Sequence, residues 1–415
     1  MSAHLFQPVR RLALQLACAA LLSACARPRR GGSSGDDPRD QPEKPGYLAE
    51  APYREEGFRD VWRSSDEELA LEWLLPRGAA QAPLVIYLPG LGEPAGAGLA
   101  WRQAWARAGH AVLSFQGADD AGVWSSAAAR RGDFSAIARE RFGAQALSRR
   151  ILRTRRLVDD LARRGGDAAT PYGRIDWRRV ALAGFDLGAQ TALAFAGERQ
   201  DGLSDAARSA LDLPMLRAAI ALSPPVRAAT EDADARLGAI HAPLLLVTAH
   251  GLDDPLEPAR AAPHPLRFDA LPAGDKYLLT LARSTRRTLS GTDEARGAER
   301  GTRGSGGGMG DGLSGGFGGG AGPGGGGGMG GMGGMGGGSP GGGSMGGRGP
   351  DGSRGGPPPG GEGRGPAGNG RERWLIAELS TAFLDAQLRD QARAQDWLTR
   401  EAAEWIGDDG ELRSK

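Results

Sequence analysis

Apolar positions along the chain change spacing repeatedly, from short continuous runs to a helical period and back. Gly57 to Trp62 and Leu69 to Leu75 mix aromatic and branched residues with polar breaks, which predicts two early strands. Pro83-Leu-Val-Ile-Tyr-Leu-Pro-Gly90 is an unbroken apolar run, the pattern of a central strand buried on both faces. Leu99 to Ala108 places tryptophans and alanines at helical spacing, and His110 to Phe115 returns to a strand. Ala144 to Arg164 predicts a long amphipathic helix whose apolar positions are Leu147, Ile151, Leu152, Leu157, Val158 and Leu161. Val180 to Ala183, Ala218 to Ser223, Pro243 to Thr248 and Tyr277 to Ala282 predict further strands, and Arg373 to Trp405 is strongly helical.

Strands alternating with helices imply an α/β class with a mostly parallel central sheet and helices on both faces. In such sheets ligands bind at the carboxyl ends of the strands. At one such end Val180-Ala-Leu-Ala183 runs into Gly184-Phe-Asp-Leu-Gly188, and an Ala-rich helix follows at once. A strand, a tight turn and a helix in this order form a nucleophile elbow, written G-x-S-x-G, but here Asp186 holds the central place.

Two segments break the alternation. Residues 26–46 are Arg, Gly, Ser, Asp and Pro with little apolar content, so a disordered tether is expected. Residues 297–370 hold more than half of the chain's 69 glycines, and such a stretch buries too little apolar surface to offset the entropy of ordering. A disordered insertion is expected there, dividing a domain of 47–296 from the C-terminal helices of 371–415 that complete it. Within it Met329, Met332 and Met335 form a thioether run of the type that suits Cu(I), although Met is simply the usual apolar interruption in this segment.

The N-terminal segment changes the expected location. Arg10 and Arg11 end a basic stretch, and Leu12 to Leu22 is apolar but short for a bilayer span. Leu22-Ser-Ala-Cys25 resembles the lipobox of bacterial lipoproteins, which implies a signal peptide over 1–25, lipidation of Cys25 and a membrane partner reached through a lipid anchor. Ala26 after the cysteine implies outer-membrane sorting in that family. Cys18 would leave with the signal peptide, so neither a disulfide framework nor a catalytic thiol is expected. The formal net charge of +1 carries no nucleic-acid footprint, and no nucleic-acid partner is expected.

With the elbow, Leu88-Pro-Gly-Leu-Gly92 and the alternating pattern, the chain resembles the α/β-hydrolase superfamily, nearest to dienelactone-hydrolase-like and lipase-like bacterial esterases. The resemblance implies oxyanion amides at Leu187 and within Gly90 to Gly92, with Gly90 and Leu91 the leading pair. It implies a triad acid at Asp254, with Asp253 as the alternative. It also implies a histidine soon after the last strand, yet Arg286 and Arg287 stand there and no histidine follows His264.

Three chemistries are open. Asp186 can act as a carboxylate nucleophile at a saturated carbon, with His264 or His250 supplying the base that activates water. Alternatively Asp186 and Arg286 form an ion pair where Ser and His would stand, with Asp254 accepting on the far side, and the pocket, without serine-type hydrolysis, binds a ligand or partner or is simply structural. A third option is metal-assisted hydrolysis by Asp186, Asp253, Asp254 and His250, although their spacing follows no established metal pattern. The leading readings need no cofactor or metal. Gly117 to Phe142 is a candidate cap for the pocket.

Overall fold

The computed structural model describes residues 46–47, 53–167, 170–225, 233–252, 256, 268–292 and 367–415, and residues 45–415 cluster as one unit distinct from 1–44. The signal peptide with Cys25, most of the tether, the methionine run, Asp253, Asp254 and His264 lie outside the described residues.

A nine-stranded sheet organises them in the order β1-β2-β4-β3-β5-β6-β7-β8-β9. β1 (Glu55–Arg63) and β2 (Glu68–Pro76) pair antiparallel, and β2 pairs antiparallel with β4 (Ala111–Phe115). From β4 the sheet runs parallel through β3 (Ala82–Leu88), β5 (Ile175–Phe185), β6 (Leu216–Leu222), β7 (Leu244–Ala249) and β8 (Lys276–Leu281). The chain is therefore α/β with a mostly parallel sheet.

The continuous apolar runs follow from burial on both faces. On β3, Val85 and Tyr87 point into one core cluster, and Leu84, Ile86 and Leu88 into the other. The first cluster is closed by Trp101 and Trp105 of α1 (Leu99–Arg107) and by Leu375, Leu379 and Phe383 of a C-terminal helix (Ala367–Arg389). The second is closed by Leu147, Ile151, Leu157, Val158 and Leu161 on the long helix Ala144–Arg164.

In chain order the remaining helices are α2 (Ala118–Ala121), α3 (Ala127–Arg130) and α4 (Phe134–Arg141), then α5 (Ala144–Arg164) and α6 (Leu187–Phe195). α7 (Asp205–Ala210), α8 (Ala233–Gly238), α9 (Arg286–Ser290), α10 (Ala367–Arg389), α11 (Ala392–Arg400) and α12 (Ala402–Ile406) follow.

Several boundaries differ from the sequence reading. β5 starts at Ile175, because Ile175 and Asp176 pair with Ala82 and Pro83 of β3 before the register shifts to Val180. α10 starts at Ala367, inside the stretch that composition assigns to the insertion. Gly46, assigned to the tether, is buried so tightly that a Cβ would lie 2.7 Å from the Trp405 ring.

The C-terminal region is not wholly helical. β9 (Gly410–Ser414) pairs antiparallel with β8 at the sheet edge. Gly-Glu-Leu-Arg-Ser carries little strand propensity, and only the partner strand makes it extended.

His110 precedes β4 and is buried. Its Nε2 lies 3.0 Å from Asp385 Oδ1 of α10, and Tyr47 donates to Asp385 Oδ2 at 2.8 Å. Arg389 donates to the same carboxylate at 3.2 Å. Burial would raise the Asp385 carboxyl, but the His110 and Tyr47 hydrogen bonds and the Arg389 charge together hold it below its usual range.

Candidate functional site

The site begins at the turn from β5 into α6. Asp186 sits there at φ 51 and ψ −108, a strained backbone for a residue with a Cβ. Its N–H donates to Leu222 O at 2.9 Å, which ties the turn to β6. The flanking glycines are sterically required. A Cβ on Gly184 would lie 2.2 Å from the Gly188 carbonyl carbon, and one on Gly188 would lie 1.9 Å from Leu88 O. The helix thus packs directly on the end of β3, and Asp186 is fully buried between them.

Asp186 Oδ2 accepts the Leu91 N–H at 3.2 Å and lies 2.5 Å from Arg286 Nη2. The carboxylate therefore occupies the Leu91 amide, one of the expected oxyanion donors. Leu187, the other expected oxyanion residue, opens α6 and is buried. Gly90 is engaged too, because its N–H donates to Glu93 Oε2 at 2.8 Å.

Arg286 is the first residue of α9, and its guanidinium lies 5.1 Å from the centre of the Phe185 ring. Three contacts bring α9 back across the sheet to the elbow. Trp101 Nε1 donates to Leu289 O at 3.1 Å, Tyr87 Oη to Ser290 O at 3.3 Å, and the Ala100 N–H to Gly291 O at 3.1 Å. Thr285 caps the helix by accepting from the Thr288 N–H at 3.1 Å. Arg286 keeps 26% of its side chain exposed, so one edge of the ion pair faces solvent.

Glu93 is the residue that the sequence reading missed. Burial pushes its carboxyl from the ordinary 4.5 up to about 7, with the Asp186 charge adding to the rise. The Gly90 hydrogen bond and the Arg286 charge partly oppose it. Thr292 Oγ1 is 3.5 Å from its other oxygen. Leu-Gly-Glu-Pro reads as a surface loop, and no pattern in it marks Glu93 as facing inward.

The cap segment forms α2, α3 and α4, and Val123 and Ile137 pack with Leu91, Leu187 and Leu256 over the elbow. Arg150 of α5 holds this cap to α6. It donates to Thr191 Oγ1 at 3.0 Å, Gln190 Oε1 at 2.7 Å and Arg141 O at 2.8 Å. Burial lowers its pKa to about 10, so it remains charged.

His250 is exposed just beyond β7, and its N–H donates to Leu281 O at 3.1 Å. Among the described residues no three His, Cys, Asp or Glu side chains gather as a metal site. Asp253 and Asp254, needed for the metal reading and for the acid role, lie outside them, as does the alternative base His264. Arg287, the other arginine in the histidine region, is exposed on α9.

The arrangement is poorly suited to acyl transfer. A carboxylate attacking an ester carbonyl forms a reactive anhydride, and arginine cannot accept a proton to activate water. A comparison with protein-family models finds no match, and a comparison with curated proteins finds none either.

Proposed function

We propose that this chain is an envelope-anchored protein of α/β-hydrolase lineage whose altered site binds a small ligand and does not hydrolyse it. One observation carries this reading: Arg286 and the Leu91 amide converge on a single oxygen of Asp186. The residues standing where nucleophile, base and oxyanion donor would be needed are engaged with one another. A buried carboxylate without a partner would be costly, and the pair with Arg286 offsets that cost.

The lineage rests on the order of elements around the elbow and on the steric need for Gly184 and Gly188. This fold hosts many functions, so the assignment to binding comes from the site and not from the lineage. The anchor rests on Leu22-Ser-Ala-Cys25. No helix among the described residues is long and apolar enough to cross a membrane. Incorporation of labelled fatty acid, abolished by Cys25→Ala, tests the anchor.

The activity test follows hydrolysis of short-chain nitrophenyl esters, haloalkanes and epoxides by the full chain, beside Asp186→Asn. The expected outcome is no turnover. Multiple turnovers that Asp186→Asn abolishes would overturn the binding reading and make Asp186 a nucleophile.

A further inference from the structure

The cap over the elbow turns two aromatic side chains to solvent. Trp124 is 45% exposed and Phe134 44%, and Val61 is the one other large apolar side chain exposed among the described residues. Single exposed apolar residues are ordinary on a protein surface, but these two stand at the two ends of α3, a helix about 6 Å long. Both are held in place. The Trp124 indole lies on Gly92, where a Cβ would meet its Nε1 at 1.8 Å. Phe134 follows the cap's tip at Gly132, which has φ 70 and no atom within 4 Å of the place a Cβ would take. Ser126 caps α3 and Asp133 caps α4, accepting the Ala129 and Ala136 N–H groups at 3.1 and 2.9 Å. The backbone around both rings is therefore already ordered, and little entropy is left to oppose a contact.

Basic charge accompanies the rings. Arg130 Nη1 donates to Ser125 O at 2.8 Å, which lays its guanidinium back along α3 toward the Trp124 end. Arg131 and Arg139 are exposed and make no side-chain hydrogen bond or ion pair among the described residues. The acids of the cap are more engaged. Asp120 is buried between Arg141 and Arg153, Glu140 pairs with Arg141 at 3.3 Å, and Asp133 gives one oxygen to its helix cap. Asp119 is the remaining exposed acid. Aromatic rings beside unpaired arginines suit the boundary of a bilayer, where rings enter the apolar edge and guanidiniums meet headgroup phosphates.

We propose that the cap docks on an anionic phospholipid surface through Trp124, Phe134, Arg131 and Arg139. Of the functional reading above, this rests only on the lipid anchor, which supplies the bilayer. Chain length allows anchor and cap to share one membrane. Twenty residues lie between Cys25 and Gly46, and fully extended they reach about 70 Å, whereas a domain of this size is about 50 Å across. A weak contact suffices, because the anchor holds the cap at high effective concentration. Docking of the cap turns the elbow and the carboxyl ends of the strands toward the headgroups.

The experiment uses residues 45–415, which cluster as one unit and hold all nine strands and both large core clusters. Neither the anchor nor the apolar leader then contributes. Sedimentation with phosphatidylcholine vesicles containing about one-third phosphatidylglycerol is compared with phosphatidylcholine alone. Wild type should bind the mixed vesicles about tenfold more tightly than the neutral ones, and less tightly at high salt. Trp124→Ser and Phe134→Ser should each weaken binding by about tenfold. Arg131→Gln combined with Arg139→Gln should remove most of the preference for phosphatidylglycerol, and Val61→Ser should bind as wild type does.

A second measurement keeps both rings. Residues 45–415 contain no cysteine, so Ser125→Cys and Ser65→Cys each carry a single environment-sensitive fluorophore. The label beside Trp124 should shift to the blue on mixed vesicles, and the label on the β1–β2 turn should not. Failure of wild type to sediment with mixed vesicles at low salt overturns the proposal. Equal binding by wild type and folded Phe134→Ser, or equal shifts of the two labels, overturns it as well. Fatty-acid incorporation at Cys25 is read separately, so failure of the anchor is distinguished from failure of the docking surface.

Discussion

Arg286 Nη2 stands 2.5 Å from Asp186 Oδ2, and the same oxygen accepts the Leu91 N–H. A cation and an amide from two distant segments thus meet on the residue at the elbow. Neither can leave without uncovering a buried charge, and that interdependence supplies the clearest tests of the site.

Asp186→Ala should lower stability by about 2–3 kcal/mol in urea denaturation. Breaking a buried pair typically costs more, but Arg286 retains an edge in water. Asp186→Gly relieves the positive φ, worth about 1 kcal/mol, and should be milder. Equal stability of wild type and Asp186→Ala would mean that the pair contributes nothing to the fold.

Asp186→Ser should remain unreactive toward a fluorophosphonate probe. The serine would sit at the elbow, but Arg286, the group beside it, cannot take its proton. Rapid labelling of Asp186→Ser would show that another base serves the site.

Gly188→Ala should cost more than about 3 kcal/mol or abolish folding, because the new Cβ would overlap Leu88 O at 1.9 Å. The comparison is Gly166→Ala, where the nearest atom is an ordinary 3.4 Å away. Similar melting temperatures for the two variants would contradict the tight packing of α6 on β3.

Glu93 makes stability depend on pH with a definite sign. Its folded carboxyl titrates at about 7 against an ordinary 4.5, so between these values the native state binds more protons than the unfolded state. Stability should therefore fall as pH rises from about 4.5 to 7. Glu93→Gln should remove about 2 kcal/mol of that fall, allowing for the partial exposure of the group. Glu378, also raised to about 7 by burial, contributes in the same window, so the difference between the two proteins is the relevant quantity.

Asp385→Asn should destabilise by about 2–4 kcal/mol, since it removes the charge that His110, Tyr47 and Arg389 share. The depressed Asp385 carboxyl contributes stability above the ordinary carboxylate range that is lost as pH falls through its folded value. Asp385→Asn should lack this acid-sensitive component. Tyr47→Phe, which loses one hydrogen bond, should cost about 1 kcal/mol.

The α/β class, the parallel strands and the elbow were legible along the chain, because each depends on residues close in sequence. Val85 and Tyr87 face one core and Leu84, Ile86 and Leu88 the other, and that two-sided burial is what makes their run continuously apolar. Gly184, Asp186 and Gly188 mark the turn because their spacing meets a local steric demand. The partners of Asp186 were narrowed by residue type, since a buried carboxylate needs a cation and Arg286 follows the last parallel strand.

Tertiary structure alone decided what the loop after β3 does. Gly90 and Leu91 are backbone donors, and a sequence carries no mark of which acceptor reaches them. Glu93 lies in a plain Gly-Glu-Pro stretch, and it becomes part of the site only because Thr292 and Arg286 are carried to it by α9, held in turn by Trp101 and Tyr87. β9 is extended only because β8 presents it an open edge. Patterns set by the faces of one element are written locally, whereas contacts between segments 200 residues apart depend on how the whole sheet and its helices close.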